Sequence, residues 1–298
     1  MKKQVFHTPV LLQEVIDVLN PSPGDVFVDA TLGGAGHSIA IARQAKGIKI
    51  VGFDADKETL EKAEEALSKE VSDFVLFNTN FRHMRQVLEK EGITPTKILF
   101  DLGVSQFTFF STGRGFSFQQ DEPLDMRFDP NTQSLTARDI VNEWELKDIE
   151  NVLRAYGEDR YAGKIARAIV EKRDSEKIET SLGLASVIED AFGGKRHSRL
   201  HPATKTFQAL RMAVNDELDT LREGLRGAYD TLGPSGKIAV ISFHSLEDRI
   251  VKRFFKEKKE NGEALVLTKK PITPSREELT ANPKSRSAKL RAIQKSGT

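Results

Sequence analysis

The stretch VFVDATLGGAGH at 26–37 constrains the fold of this chain more than any other. Val26, Phe27 and Val28 read as a buried strand running into Asp29. Gly33, Gly34 and Gly36 then make a turn, and an apolar helix follows over 38–45. In open α/β sheets this arrangement builds a nucleotide site, because ligands bind outside the carboxyl ends of the strands. Glycines serve such a turn twice: they reach positive φ without strain, and they let backbone N–H groups approach a ligand. The next strand, over 48–53, ends at Asp54, twenty-five residues after Asp29. An acid at about that spacing meets both ribose hydroxyls of an adenosine moiety. The glycines fall as GGAG, so there is neither a GxGxxG fingerprint nor a GxxxxGK[ST] phosphate loop. Asp29 would sit badly against a pyrophosphate but well beside a cation. S-adenosylmethionine (AdoMet) carries an ammonium and a sulfonium and has no phosphate.

The rest of the chain falls into place around this unit. Thr8 and Pro9 make an N-cap and first helical position, with Leu11, Val15, Val18 and Leu19 on one helical face. An amphipathic helix over 57–69, a strand over 74–81, a helix over 82–91 and a strand over 97–103 containing Asp101 follow, which predicts a parallel sheet. From 113 to 202 only helical patterns appear, over 136–156, 159–173 and 181–192. The pattern then resumes with one long helix over 204–231, a strand over 237–243, a helix over 246–259, a weaker strand over 264–270 and a last strand around 287–293. The expected organisation is therefore an α/β, Rossmann-like domain over 1–112 and 204–298 with a helical insert over 113–203 that recognises substrate. The insert leaves from the carboxyl edge of the fourth strand, so it should roof the ligand site.

A chain of 298 residues, 38% hydrophobic and 30% charged, has the composition of a soluble globular protein. No apolar run approaches the roughly 20 residues a membrane span needs, and the N-terminus lacks a signal peptide, which predicts the cytoplasm and no membrane partner. With no cysteine there is no disulfide or thiolate metal site, and His7, His37 and His244 lack metal-ligand spacing, so no metal is expected. The net charge of +1 argues against a uniformly basic coat, so a nucleic-acid partner must be met by a local patch. Such a patch is offered by GKRHSRLHPATKTFQALR at 194–211, with Phe207 interleaved, by Arg160, Lys164, Arg167, Lys172 and Arg173, and by SRSAKLR at 285–291.

Asp29, the turn, Asp54 and Asp101 should converge on one sheet edge, with Phe81 placed either to flank an adenine ring or to close the core. SFHSLEDR at 242–249 sets Ser242, His244 and Ser245 on the same edge, with Glu247 and Asp248 suited to a helix N-terminus. A hydrolase would want a GxSxG elbow, which is absent.

HTPVLLQEV, DATLGGAGHS, DLGVS, RGFSF, PLDMRFDP, HPATKTFQALR, VNDEL, ISFHSLEDRIVK and NPKSRSAKLR together resemble the signature blocks of the bacterial 16S ribosomal RNA cytosine-N4 methyltransferases, the MraW or RsmH family. The resemblance runs from His7 to Arg291. It implies a class I methyltransferase sheet with an inserted helical domain, using AdoMet to methylate the exocyclic amine of one cytosine in the decoding region of 16S rRNA, on the assembled small ribosomal subunit. It implies AdoMet contacts at Gly34, Ala35, Gly36, His37, Asp54, Phe81 and Asp101. Ala35 stands where relatives carry Gly, which a negative φ would allow. Thr108 stands where the family has a Gln, with Gln106 two residues earlier. The chain has DLGV where many amino-methyltransferases have [DNS]PP[YFW]; Asp125 and His244 are the expected cytosine contacts. Two rivals make distinct predictions: an oxidoreductase on the same fold would bind nicotinamide, and a noncatalytic RNA-binding assembly protein would bind AdoMet without transferring its methyl group.

Overall fold

The computed structural model describes residues 9–103, 113–193 and 201–297. The chain divides into two compact units, one made of 1–105 with 218–298 and the other of 106–217.

The first unit is built on strands β1 (Val26–Asp29), β2 (Lys49–Asp54), β3 (Phe74–Asn78), β4 (Lys97–Asp101), β5 (Lys237–Ser242), β6 (Ala264–Val266) and β7 (Lys289–Lys295). They form one sheet in the order β3-β2-β1-β4-β5-β7-β6. β1 to β5 pair in parallel, whereas β7 runs antiparallel to β5 and β6 antiparallel to β7. The all-parallel expectation thus fails at one edge. The link between β6 and β7 carries no full crossover helix, only a six-residue helix over Arg276–Ala281, and a parallel return needs a longer crossover.

Alternation along the strands explains why both faces are covered. Phe27, Ile50, Leu99, Ala239 and Ile241 pack on one face with Val15, Leu19, Ile41 and Leu67, from helices α1 (Leu12–Leu19), α2 (Gly36–Gln44) and α3 (Lys57–Leu67). Their neighbours Val28, Val51, Ile98, Ile238 and Val240 turn to the other face and meet Met84, Leu225 and Phe255. Those three residues lie on α4 (Met84–Lys90), on a helix over Glu217–Thr231 and on a helix over Ser245–Glu260.

α1 starts later than Pro9 suggests. Leu11 precedes it in the left-handed region (φ 52°), and Thr8 lies outside the described residues.

The second unit is helical: α5 (Ala137–Glu143), α6 (Leu146–Ala155), α7 (Ala162–Ser175), α8 (Ser181–Ala191) and α9 (Thr204–Val214) surround a core that includes Ile140, Ile149, Leu153, Ile165, Ile169, Leu184, Ile188 and Leu210. The long helix expected over 204–231 is two. Asp216 takes φ 47°, which ends α9, and α10 (Glu217–Thr231) begins anew. Because α9 packs with α5–α8, the compact unit reaches 217 rather than the expected 203. Its main loop is stapled by Asn215, whose amide donates to the carbonyls of Met126 and Arg211 (both 2.8 Å) and accepts from Phe128 N–H (2.8 Å). Among the described residues no helix is long and apolar enough to cross a membrane.

Candidate active site

The Gly-rich turn joins β1 to α2. Gly33 takes φ 51° and its N–H donates to Asp54 Oδ2 (3.0 Å), tying the turn to the end of β2. Ala35 takes φ 59°, so its conformation is left-handed and not the negative-φ one expected. It is fully buried, and its Cβ pays about 1 kcal/mol of strain there. Gly34 is exposed, and a Cβ on it would meet nothing within 4 Å. The N-cap residue of α2, Ala35, has no side chain that could cap the helix, which suits its first N–H groups to an anionic group.

Asp29, Asp54 and Asp101 are the last residues of β1, β2 and β4. Asp29 is 2% exposed and accepts from Ser38 Oγ (2.7 Å); burial raises its pKa, against the opposing pull of His37 and Ser38. Asp54 accepts from the N–H groups of Gly33 and Asp56, yet burial pushes its carboxyl up to about 7. Asp101 is also pushed up to about 7, by burial first and then by the nearby Glu247. Its Oδ1 is sealed from solvent without a hydrogen-bond partner, and its own N–H donates to Thr31 Oγ1 (2.6 Å). Burial lowers the pKa of His37, and since its Nε2 lies 3.0 Å from the carbonyl of Val10, that nitrogen carries the proton. Nδ1 is left as a lone pair 3.7 Å from Asp101 Oδ2. The sequence places Glu247 at the helix N-terminus, as found, but not beside Asp101, and it assigns no role to Ser38 or Thr31. DATLGGAGHS does place a hydroxyl two and nine residues after Asp29, but only the folded turn shows which acid each one meets.

Phe81 packs edge-on against Phe100 (5.4 Å between ring centroids, 90°) and lies where a Cβ on Gly224 would come within 2.5 Å of its ring. It thus closes the core while remaining partly exposed. His244 caps the helix α11 (Ser245–Glu260): Nδ1 faces the Glu247 N–H (3.4 Å) and Nε2 lies 3.0 Å from Glu247 Oε1. Glu247, 4% exposed, also accepts from the N–H groups of Phe243 and His244, so it holds the bend after β5. In the second unit, Asp125 is gripped by Arg127 through Nε (2.8 Å) and Nη2 (2.7 Å). Burial alone would raise its pKa, but those bonds outweigh it and hold the carboxylate below its usual range. Gln106 and Thr108 lie outside the described residues.

The expected basic surface is thinner than its sequence. Residues 194–200 lie outside the described residues. Arg211 pairs with Glu217 (2.7 and 2.9 Å), Arg173 donates to the carbonyls of Val141 and Trp144, and Arg291, 9% exposed, binds Asp248 (2.6 Å). These three cations serve the fold. Phe207 is buried against Phe118 (5.0 Å), so it is a core ring and not one interleaved with bases. Arg160 lies over Tyr161, Lys164 over Phe192, and Lys172 beside Glu176, all within the helical unit.

Residues 4–296 match the model of the MraW methylase family. The chain belongs to that family. It is 48% identical to ribosomal RNA small subunit methyltransferase H of Sulfurihydrogenibium sp. (strain YO3AOP1) over 289 residues, 96% of this chain and 98% of the relative. It is 46% identical to the protein of the same name from Persephonella marina, over 98% and 99% of the two chains. Among solved structures, an rRNA methylase from Streptococcus thermophilus aligns with 99% of each chain at 11% identity and a TM-score of 0.45. In this MraW methylase the site's donor set fits AdoMet. Three carboxylates with raised pKa values at one sheet edge suit a cation, Asp54 suits a diol, and the start of α2 suits a carboxylate.

Proposed function

We propose that this chain methylates the N4 amine of one cytosine in the decoding region of 16S rRNA, using AdoMet and acting on the small ribosomal subunit. What carries the reading is the near-complete alignment with relatives named for methylating small-subunit ribosomal RNA. AdoMet supplies a methyl group already activated on a sulfonium. The protein's task is to bind, orient and neutralise. Asp54 accepts from the ribose hydroxyls, Phe81 flanks the adenine, and Gly34, Ala35, Gly36 and His37 wrap the amino-acid end at the start of α2. Asp101, whose side chain remains 24% exposed, turns its carboxylate charge toward the cationic part.

The cytosine N4 lone pair is delocalised into the ring, so the amine must be held in line with the methyl group and its growing charge accepted. Asp125 and His244 are the proposed contacts. Asp125 stays ionised through Arg127 and can accept an amine proton's hydrogen bond. Both His244 nitrogens face Glu247, so His244 contributes a fixed ring surface to the base and does not abstract a proton. The base must be unstacked to enter, and the helical unit over 106–217 is proposed to hold the surrounding RNA.

The test is methyl transfer from labelled AdoMet to small subunits from cells lacking the activity, followed by mass mapping of the product. One N4-methylcytidine in the decoding region is the expected result. AdoMet binding without transfer to that base would refute the assignment.

A further inference from the structure

The segment after β6 is not a free tail. Ile272 and Leu290 exchange backbone hydrogen bonds (2.9 and 2.8 Å), which ties it back to β7, and it then forms α12 (Arg276–Ala281), capped by Ser275 on the N–H of Glu278 (3.1 Å). From this platform Glu278 Oε1 accepts the N–H of Leu11 (2.8 Å), 267 residues away in sequence. Leu11 is fully buried and left-handed, a conformation a leucine keeps only when its surroundings hold it. The preceding residue, Val10, presents its carbonyl to His37 Nε2 (3.0 Å), and His37 Nδ1 in turn faces Asp101 (3.7 Å). A chain of contacts thus leads from the C-terminal segment to an acid of the cofactor site.

We propose that Glu278 is a positioning residue for the AdoMet pocket: by holding the Leu11 N–H it keeps the Val10 carbonyl on His37 Nε2, which fixes the tautomer and orientation of the His37 ring beside Asp101. The proposal rests on the reading of the Asp29, Asp54 and Asp101 cluster as the AdoMet site. The hydrogen bond, and not the charge alone, does the positioning. Glutamine at 278 keeps an oxygen in reach, aspartate keeps the charge but withdraws it by one methylene, and alanine removes both.

The experiment measures AdoMet affinity by calorimetry, kcat at saturating AdoMet, and the ring-nitrogen chemical shifts of His37 in the full chain with Glu278→Ala, Glu278→Asp and Glu278→Gln. Loss of one such bond should weaken AdoMet about tenfold in the Ala and Asp variants, with kcat retained and affinity restored in the Gln variant. The His37 shifts should lose the Nε2–H signature in the first two and keep it in the third. Equal affinity in all variants, or a Gln variant as weak as Ala, would overturn the proposal. A wild-type protein that binds no AdoMet would instead overturn the functional reading. The His37 shifts then still judge the latch, since an unchanged tautomer in Glu278→Ala refutes it with or without ligand.

Discussion

Replacing Asp101 by Asn should stabilise the ligand-free protein at alkaline pH while weakening its cofactor binding. The folded carboxyl titrates near 7 against a reference of 3.8, a rise of about three units. At about 1.4 kcal/mol per unit, keeping this group ionised costs the folded state about 4 kcal/mol. Because the folded form binds the extra proton between those two values, stability is full below pH 3.8 and is lost as pH rises through 7. An asparagine of the same shape carries no such charge but brings an amide donor to be satisfied, which returns about 1–2 kcal/mol. The net gain at pH 8 is about 2–3 kcal/mol, or about 5 °C in Tm. At pH 5, where wild-type Asp101 is already neutral, the gain should vanish or reverse. Thermal and urea unfolding of ligand-free wild type and Asp101→Asn at pH 5, 6, 7 and 8 measures this. A variant no more stable than wild type at pH 8, or with an unchanged pH slope, refutes the account of Asp101 as a charge held at a cost until a cation arrives.

The same logic predicts that AdoMet binding releases protons near neutrality: with Asp54 and Asp101 both titrating at about 7, affinity should rise from pH 6 to pH 8, and calorimetry in buffers of different ionisation enthalpy should detect the release. A pH-independent Kd would contradict it. Gly224→Ala should drive Phe81 off Phe100, costing about 1–3 kcal/mol of stability and raising KM for AdoMet more than it lowers kcat. Asn215→Ala should cost about 2–4 kcal/mol by freeing the three backbone groups it bonds, and faster hydrogen exchange over 126–128 would register it. Ala35→Gly should change stability by less than about 1 kcal/mol, because relief of strain is offset by a looser unfolded chain and a lost buried methyl group; chemical denaturation checks the balance.

The sequence by itself determined the sheet edge that matters. Apolar runs ending in Asp29, Asp54 and Asp101, a glycine turn and helices between them left one architecture, since local periodicity and turn chemistry act over a few residues. The signature blocks carried the family. Local pattern also misled. The apolar helical period continues through Asn215 and Asp216, which predicts one helix where a left-handed residue makes two, and Arg211 and Phe207 read as parts of an RNA surface although Arg211 is held by Glu217 and Phe207 is core. Burial decides pKa, and burial is a property of the packed molecule: nothing in the residues near Asp101 says that its Oδ1 is sealed or that Glu247 lies close by. The same holds for Ala35, whose sign of φ follows from the closure of the turn, and for Glu278, whose partner is at the other end of the chain. Hydrogen bonds between residues far apart in sequence leave no local pattern, so only the tertiary structure decided which polar groups serve the site and which hold the fold.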